Sequence, residues 1–338
     1  MDWVRRVALN REEITRRNFL KFSFAGLALI AAGNFISAAR TAWGAVAARA
    51  LFAQYAVSNG RPKKRIKGEH DLVCAKGEDP YTMTVKAVEA MGGMERFVKK
   101  NGVVVIKPNI GWDRTPEQAA NTNPLVVAAL VDLCFKAGAK RVNIFDMSCN
   151  DARRCYENSG IERAAKERGA NVYFPDDWDV VKAKFKYASQ MEGWAVLRDA
   201  VECDTFINVP VLKHHGLTKL TISMKNLMGV CTGNRGLIHQ DIAAKIVDLT
   251  DFISPDLTVI DAFRFLYRNG PTGGNLNDVK RLDSLIVATD PTLADAYAAQ
   301  LAGLHPLSLE NIKVAAQRKF GSADIDKADV VILNSRPA

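Results

Sequence analysis

The chain contains none of the short motifs that usually announce a chemistry. Its 338 residues hold no C-x-x-C pair, no H-E-x-x-H and no Walker sequence, and no Ser-His-Asp arrangement at recognisable spacing. A ferredoxin-type cluster, a thioredoxin-like redox pair, a zincin and a P-loop NTPase are therefore not written in these residues. Histidine is scarce at five, and the six cysteines (Cys74, Cys134, Cys149, Cys155, Cys203 and Cys231) are scattered. No internal repeat or low-complexity tract is present. The single apolar run near the N-terminus, Phe22 to Ala39, is diluted by Ser23, Asn34 and Ser37, so a permanent membrane span is not expected from it.

That run follows Thr15-Arg16-Arg17-Asn18-Phe19-Leu20-Lys21. A long polar segment, paired arginines and a moderately hydrophobic stretch form the pattern of a twin-arginine export signal. The expected leader is residues 1–44, with small residues before a cleavage point after Ala39 or Gly44. It implies the twin-arginine translocase as a partner and a periplasmic location. The whole chain carries a net charge of +9. The leader accounts for seven basic residues against three acidic ones, or +4, which leaves +5 for the remainder. Part of that excess is the run RPKKRIKG at 61–68, which reads as a solvated linker. A modest positive charge on an exported protein suits small anions or membrane surfaces and makes nucleic acid a poor partner.

Residues 45–100 are expected to form a linker and N-terminal extension, and 101–338 an α/β domain. Apolar, β-branched runs at Val103–Ile106, Arg141–Phe145, Val172–Phe174, Thr205–Leu212, Leu257–Ile260, Leu285–Ala288 and Val330–Leu333 read as strands. Helical periodicity falls between them at 125–136, 153–168, 220–228, 240–253, 293–302 and 309–319. Strands of this kind alternating with amphipathic helices predict a largely parallel sheet covered on both faces, with irregular insertions at 192–203 and 264–278.

On that frame the polar residues converge. The strand tips deliver Lys107 and Asn109, then Asp146, then Lys213-His214-His215, then Asp261 and Arg264, then Asp290. In open α/β sheets the carboxyl edge is where ligands bind. Asn123 before Pro124 and Asp290 before Pro291 also match helix N-caps with proline at the first helical position. Lys225 and Asn226 stand on an otherwise apolar stretch, LTISMKNLMG. Lys107, Lys213, Lys225, Arg114 and Arg264 would supply positive charge for a carboxylate or phosphate. Asn150, Arg153 and Lys219 lie beside the same edge, and Gly270, Gly273 and Gly274 in RNGPTGGN are placed to bring backbone N–H groups near an oxyanion. His215, or else His214, is the expected base or metal ligand, with Asp146 or Asp261 to orient it or bind a divalent cation. Cys149, Cys155 and Cys231 are the candidate metal ligands, the first two flanking a polar turn.

Four segments, KPNIGWDRTPEQAANTNP, DMSCNDARRCY, VPVLKHHGLTKLTISMKNLMG and TVIDAFRFLYRNGPTGG, in this order resemble the family known as domain of unknown function 362. The resemblance covers about residues 100 to 300. It implies an α/β fold and an unassigned activity. Members often carry iron–sulfur motifs, but this chain lacks the C-x-x-C-x-x-C run. More distantly, the family is similar in architecture to nickel-pincer lactate racemases, whose site gathers lysines and histidines around an anionic cofactor. Two function classes follow: an enzyme with a cationic pocket for a small anionic substrate or cofactor, with or without a metal, and a non-catalytic periplasmic iron–sulfur or metal-binding accessory protein.

Overall fold

The structure is a computed structural model describing residues 56–64 and 66–334, so the expected leader at 1–44 lies outside the described residues. It opens with β1 (Val57–Ser58), β2 (Leu72–Lys76) and α1 (Pro80–Ala90), followed by β3 (Val103–Pro108), α2 (Pro124–Lys136) and β4 (Arg141–Ile144). Next come α3 (Ala152–Asn158), α4 (Ile161–Lys166), β5 (Asn171–Val172), β6 (Val180–Ala183), β7 (Ala195–Leu197) and α5 (Arg198–Glu202). The centre is β8 (Thr205–Val209), β9 (Val211–His215), β10 (Lys219–Thr221), α6 (Ser223–Asn226) and α7 (Ile242–Ile253). The chain continues through β11 (Leu257–Leu266), β12 (Val279–Ala288), α8 (Pro291–Leu301), α9 (Glu310–Gln317) and β13 (Val330–Asn334).

Ten of these strands form one sheet, in the order β13-β2-β12-β11-β8-β3-β4-β5, with the β9–β10 hairpin attached beside β11. The pairs β3–β4, β3–β8, β4–β5, β8–β11 and β2–β13 are parallel, whereas β12 runs antiparallel to both β11 and β2. β1, β6 and β7 make a separate three-stranded sheet.

Strand alternation splits the core into two layers. On β3, Val104 and Ile106 enter the cluster built with Val126, Leu130 and Val131 of α2 and Met83 and Ala87 of α1, while Val105 enters the opposite one. That opposite layer gathers Phe206, Ile260 and Ile286 against Ile246, Leu249 and Phe252 of α7 and Leu293 of α8. A period of two with both faces buried is what a helix-covered sheet demands, and the fold is α/β as the sequence implies.

Several local expectations change. The stretch expected as a linker and extension supplies, from Ala56 on, two strands and a helix: β1 pairs with β6, and β2 pairs with β12 and β13 in the main sheet. Within the basic run, Arg61 is 3% exposed and its guanidinium meets Asp256 at 2.5 Å, so this arginine is a core ion pair rather than a solvated linker residue. Residues 220–228 do not form one helix. Lys219–Thr221 pairs antiparallel with β9, and the helix is only Ser223–Asn226, because the β-branched Thr221 and Ile222 stay extended. The segment 192–203 contains β7 and α5, and β11 runs on to Leu266 before the irregular stretch begins.

Among the described residues no helix is long and apolar enough to cross a membrane.

Candidate functional site

Lys107 ends β3 as the strand leaves the core, with its side chain wholly buried. Its Nζ lies 2.7 Å from Asp146 Oδ1 and donates to Asn226 Oδ1 at 3.1 Å. Asp146 follows β4, and its Oδ2 accepts from the Ile110 amide at 2.7 Å, which ties the two strand tips together. Burial pushes the Lys107 ammonium below its ordinary range, and the Asp146 charge opposes that shift. Gly229 closes over the pair: a Cβ there would collide with Asp146 Oδ1 and Lys107 Nζ, so only glycine fits.

Asn226 joins the elements. Its Oδ1 also accepts from Asn109 Nδ2 at 3.0 Å, and its Nδ2 donates to the Lys107 carbonyl and to Asn208 Oδ1. Asn109 in turn accepts from Lys213 Nζ at 3.0 Å through Oδ1, and Lys213 also donates to the Ala120 carbonyl. Lys107, Asp146, Asn226, Asn109 and Lys213 thus form one connected hydrogen-bonded network reaching from β4 to β9. Thr122 fastens the loop after β3, accepting from the Asn109 amide and donating to the Val209 carbonyl.

The cations are unequally neutralised. Lys107 alone among the three lysines has a carboxylate. Lys213, 1% exposed, has only neutral acceptors; burial first, then the Lys225 charge, brings its ammonium down to about 7. Lys225 is partly buried and makes no hydrogen bond or ion pair among the described residues. Burial lowers it to about 8, with Arg235 and Lys107 adding and the Cys149 thiol opposing. His215 is 7% exposed and stacks on His239 at 6.0 Å between ring centroids. Its Nδ1 accepts from the Leu217 and Thr218 amides, both at 3.2 Å. Burial, reinforced by Lys225, His239 and Lys213, lowers it to about 3. The ring is therefore neutral at physiological pH and carries its proton on Nε2. The expected role as general base does not suit this tautomer, because the free nitrogen is already occupied.

Other expected members stand apart from this network. Asp261, 3% exposed, accepts from the Asn123 amide at 2.8 Å and the Phe263 amide at 3.1 Å, fixing the entry to α2; burial raises it to about 6. His214 accepts at Nδ1 from the Gly270 amide at 3.1 Å. Arg114 and Gln118 donate to the Gly273 and Gly274 carbonyls, while the Gly273 amide donates to Asn269, so this glycine-rich turn is engaged with its own neighbours. Arg264 lies over the Phe263 ring, 5.2 Å from its centroid. Lys219 reaches the Ser308 carbonyl at 3.0 Å. Asn150 accepts from the Asp113 amide, Arg153 is exposed in the first turn of α3, and Arg154 pairs with Asp113 at 2.7 Å. Asn123 and Asp290 are N-caps, accepting from Leu125 and from Thr292 and Leu293 respectively.

The cysteines do not assemble. Among the described residues no group of three or more His, Cys, Asp or Glu is placed to hold a metal, and all six cysteines are free. Cys231 is buried, with its thiol pushed up to about 12, and burial also raises Cys155; Cys149 alone is exposed. The donor set Cys149, Cys155 and Cys231 therefore does not fit a metal or an iron–sulfur cluster.

Two residues were not marked by the sequence. Arg235 donates from both Nη atoms to the Met147 and Ser148 carbonyls at 2.7 Å, placing a guanidinium beside the loop after β4. Asp295 on α8, 1% exposed, accepts from the Ser223 and Met224 amides at 2.7 and 3.3 Å and so holds the short helix that carries Lys225 and Asn226. Arg235 has no local signal, but an aspartate inside the apolar run PTLADAYAAQL stands out in the sequence.

A thylakoid-associated protein of Synechocystis sp. is 28% identical over 250 residues, which cover 69% of this chain and 73% of that protein. Among solved structures, the lactate racemase apoprotein of Thermoanaerobacterium thermosaccharolyticum aligns with a TM-score of 0.45 at 12% identity over 71% of this chain. A protein from Thermotoga maritima aligns at a TM-score of 0.37 and 11% identity over 72% of this chain. The chain spans only 58% and 60% of those two proteins. The profile of the family described as domain of unknown function 362 matches residues 104–300, more than half of the 338-residue chain, and the chain belongs to that family.

Proposed function

We propose that this is an enzyme, exported to the periplasm through the twin-arginine translocase, which binds a small anionic substrate or cofactor at the Lys213–Lys225 edge of the sheet. The observation that carries the reading is the imbalance of charge. Lys107 is matched by Asp146 at 2.7 Å, but Lys213 and Lys225 have no carboxylate among their described contacts. Burying a cation without a counter-ion is unfavourable, and a folded chain keeps such a group where a ligand completes it. The Arg235 guanidinium and the Nε2–H of neutral His215 add donors of the same sign.

Each residue then has a role set by its surroundings. Lys225 takes the charge of the anion. Asn226, with both ends of its amide engaged, and the Lys107–Asp146 pair hold the geometry. Lys213, titrating at about 7, is placed to exchange a proton at neutral pH. A bound anion draws a proton onto it, and the resulting ammonium is a general acid for the ligand. His215 donates from Nε2 to the ligand instead of accepting. The second function class, a cluster-binding accessory protein, finds no support in the cysteines.

The test is native mass spectrometry of the protein purified from its own host, compared with Lys225→Met. A bound species of fixed mass is expected in the wild type, and its loss in a folded variant whose melting temperature is no lower than that of the ligand-free wild type. A wild-type protein that carries and acquires no anion, or a variant that retains the species fully, overturns it.

A further inference from the structure

A recess beside the β9–β10 hairpin has His215 in its lining and so borders the anion site. It has a volume of about 350 Å³ and includes His214, Lys219 and Lys280 together with Phe265, Tyr267 and Leu304 in its lining. Lys107, Lys213 and Lys225 do not line it, and neither does any carboxylate. Strand alternation turns His214 away from Lys213. The antiparallel register places Leu220 opposite His214 and Lys219 opposite His215, and all four residues line the recess at this end of the hairpin.

The lining divides by chemistry. Phe265 and Tyr267, two residues apart on and just beyond β11, form an aromatic wall, continued by Leu220, Ala302 and Leu304. Lys280 lies over this wall, its Nζ 5.4 Å from the Phe265 centroid and 5.3 Å from the Tyr267 centroid. Lys219 holds a left-handed backbone, φ 62°, which is uncommon for a lysine, and its Nζ reaches the Ser308 carbonyl. Neither ammonium has an acidic partner among the described residues. Two large aliphatic side chains near these residues in sequence are also exposed: Leu217, at 60%, follows His215 by two positions, and Leu307, at 46%, precedes Ser308.

We infer that this recess is a binding site for an amphipathic carboxylate, with an acyl or aryl body against Phe265, Tyr267 and Leu304 and its head at Lys219 and Lys280. The volume is in the range of ordinary small-molecule sites, and such sites combine a mostly apolar lining with a few polar groups that orient the ligand. An anionic head takes a charge-assisted hydrogen bond from either lysine, and the aromatic faces that hold Lys280 in place leave its N–H groups available. A doubly charged, fully polar ligand would leave the apolar wall unused. The recess shares His215 with the anion site, but Lys219, Lys280, Phe265, Tyr267 and Leu304, which hold the head and body of this ligand, are not members of that site.

The experiment is isothermal titration of the purified full chain with monomeric dodecanoate, alongside vesicles of phosphatidylglycerol and of phosphatidylcholine. The expected result is one dodecanoate per chain. Lys280→Ala should weaken it by roughly tenfold or more, the loss of one charged hydrogen bond. Leu304→Asp, which sets a like charge beside the bound anion, should do the same, while Lys166→Ala on α4 leaves it unchanged. Far-UV circular dichroism establishes that each variant is folded. Absence of saturable dodecanoate binding, equal affinity in Lys280→Ala and wild type, or binding to phosphatidylglycerol vesicles without binding to monomeric dodecanoate each overturns the inference.

Discussion

Replacing Lys213 by methionine should stabilise the ligand-free protein at low pH and destabilise it at high pH. In the unfolded chain this lysine titrates at its ordinary 10.5, and in the folded one at about 7. At 1.36 kcal/mol for each factor of ten, holding the ammonium in the core costs on the order of 5 kcal/mol below pH 7. The folded state binds fewer protons than the unfolded one between pH 7 and 10.5, so that cost falls as pH rises through this window. By pH 9 it is smaller by about 3 kcal/mol, two pH units beyond the folded value. Methionine removes the cost but leaves Asn109 Oδ1 and the Ala120 carbonyl without their donor, a penalty of about 1–3 kcal/mol for each. The net at pH 6 is a gain of roughly 1–2 kcal/mol, which becomes a loss of similar size at pH 9. Urea unfolding of both proteins at the two pH values measures it. A stability difference that is the same at pH 6 and pH 9 refutes the assignment of Lys213 as a buried, uncompensated cation.

Three further outcomes follow from other parts of the structure. Gly229→Ala should cost about 3–5 kcal/mol, because its methyl group separates the buried Lys107–Asp146 pair; a thermal melt showing less than about 1 kcal/mol lost contradicts the packing. Asp261→Asn should change stability through the amides of Asn123 and Phe263 and leave anion affinity within about twofold, and a tenfold loss of affinity would place Asp261 in the site instead. Arg16→Lys combined with Arg17→Lys should leave precursor in the cytoplasm on fractionation, and normal export of that variant excludes the twin-arginine route.

Much of the sheet was legible because its strands are buried on both faces and read as continuous apolar runs, Val103–Ile106 and Leu257–Ile260 among them. β2 and α1 were passed over for a local reason. Leu72–Lys76 follows a dense basic run that reads as solvated, yet Asp79-Pro80 carries the same cap-and-proline signal that located α2 at Asn123-Pro124. Lys107 and Lys213 are legible from their place at strand tips and Lys225 from its apolar surroundings, but their charge states are not. Whether a lysine there meets a carboxylate depends on residues distant in the chain: Asp146 lies 39 positions beyond Lys107, and only the sheet brings them to 2.7 Å. The tautomer of His215 is hidden in the sequence for the opposite reason. Its partners are the amides two and three residues on, and the turn after β9, rather than any charged neighbour, fixes its tautomer. Arg235 had no local signature, since its acceptors are the carbonyls of residues 147 and 148.

The most direct measurement of the central claim is the affinity for a small anion whose own charge is fixed, such as sulfate, followed by calorimetry from pH 6 to pH 9 in buffers of different ionisation enthalpy. Lys213 and Lys225 titrate at about 7 and about 8 without ligand, and both must be charged to hold the anion. Affinity should be nearly flat below pH 7, fall about tenfold per unit between 7 and 8, and fall more steeply above, reaching roughly a thousandfold loss at pH 9. Binding at pH 7.5 should take up about one proton, and Lys213→Met should remove one step of the decline. An affinity that stays constant across this range, with no proton uptake, would contradict the account.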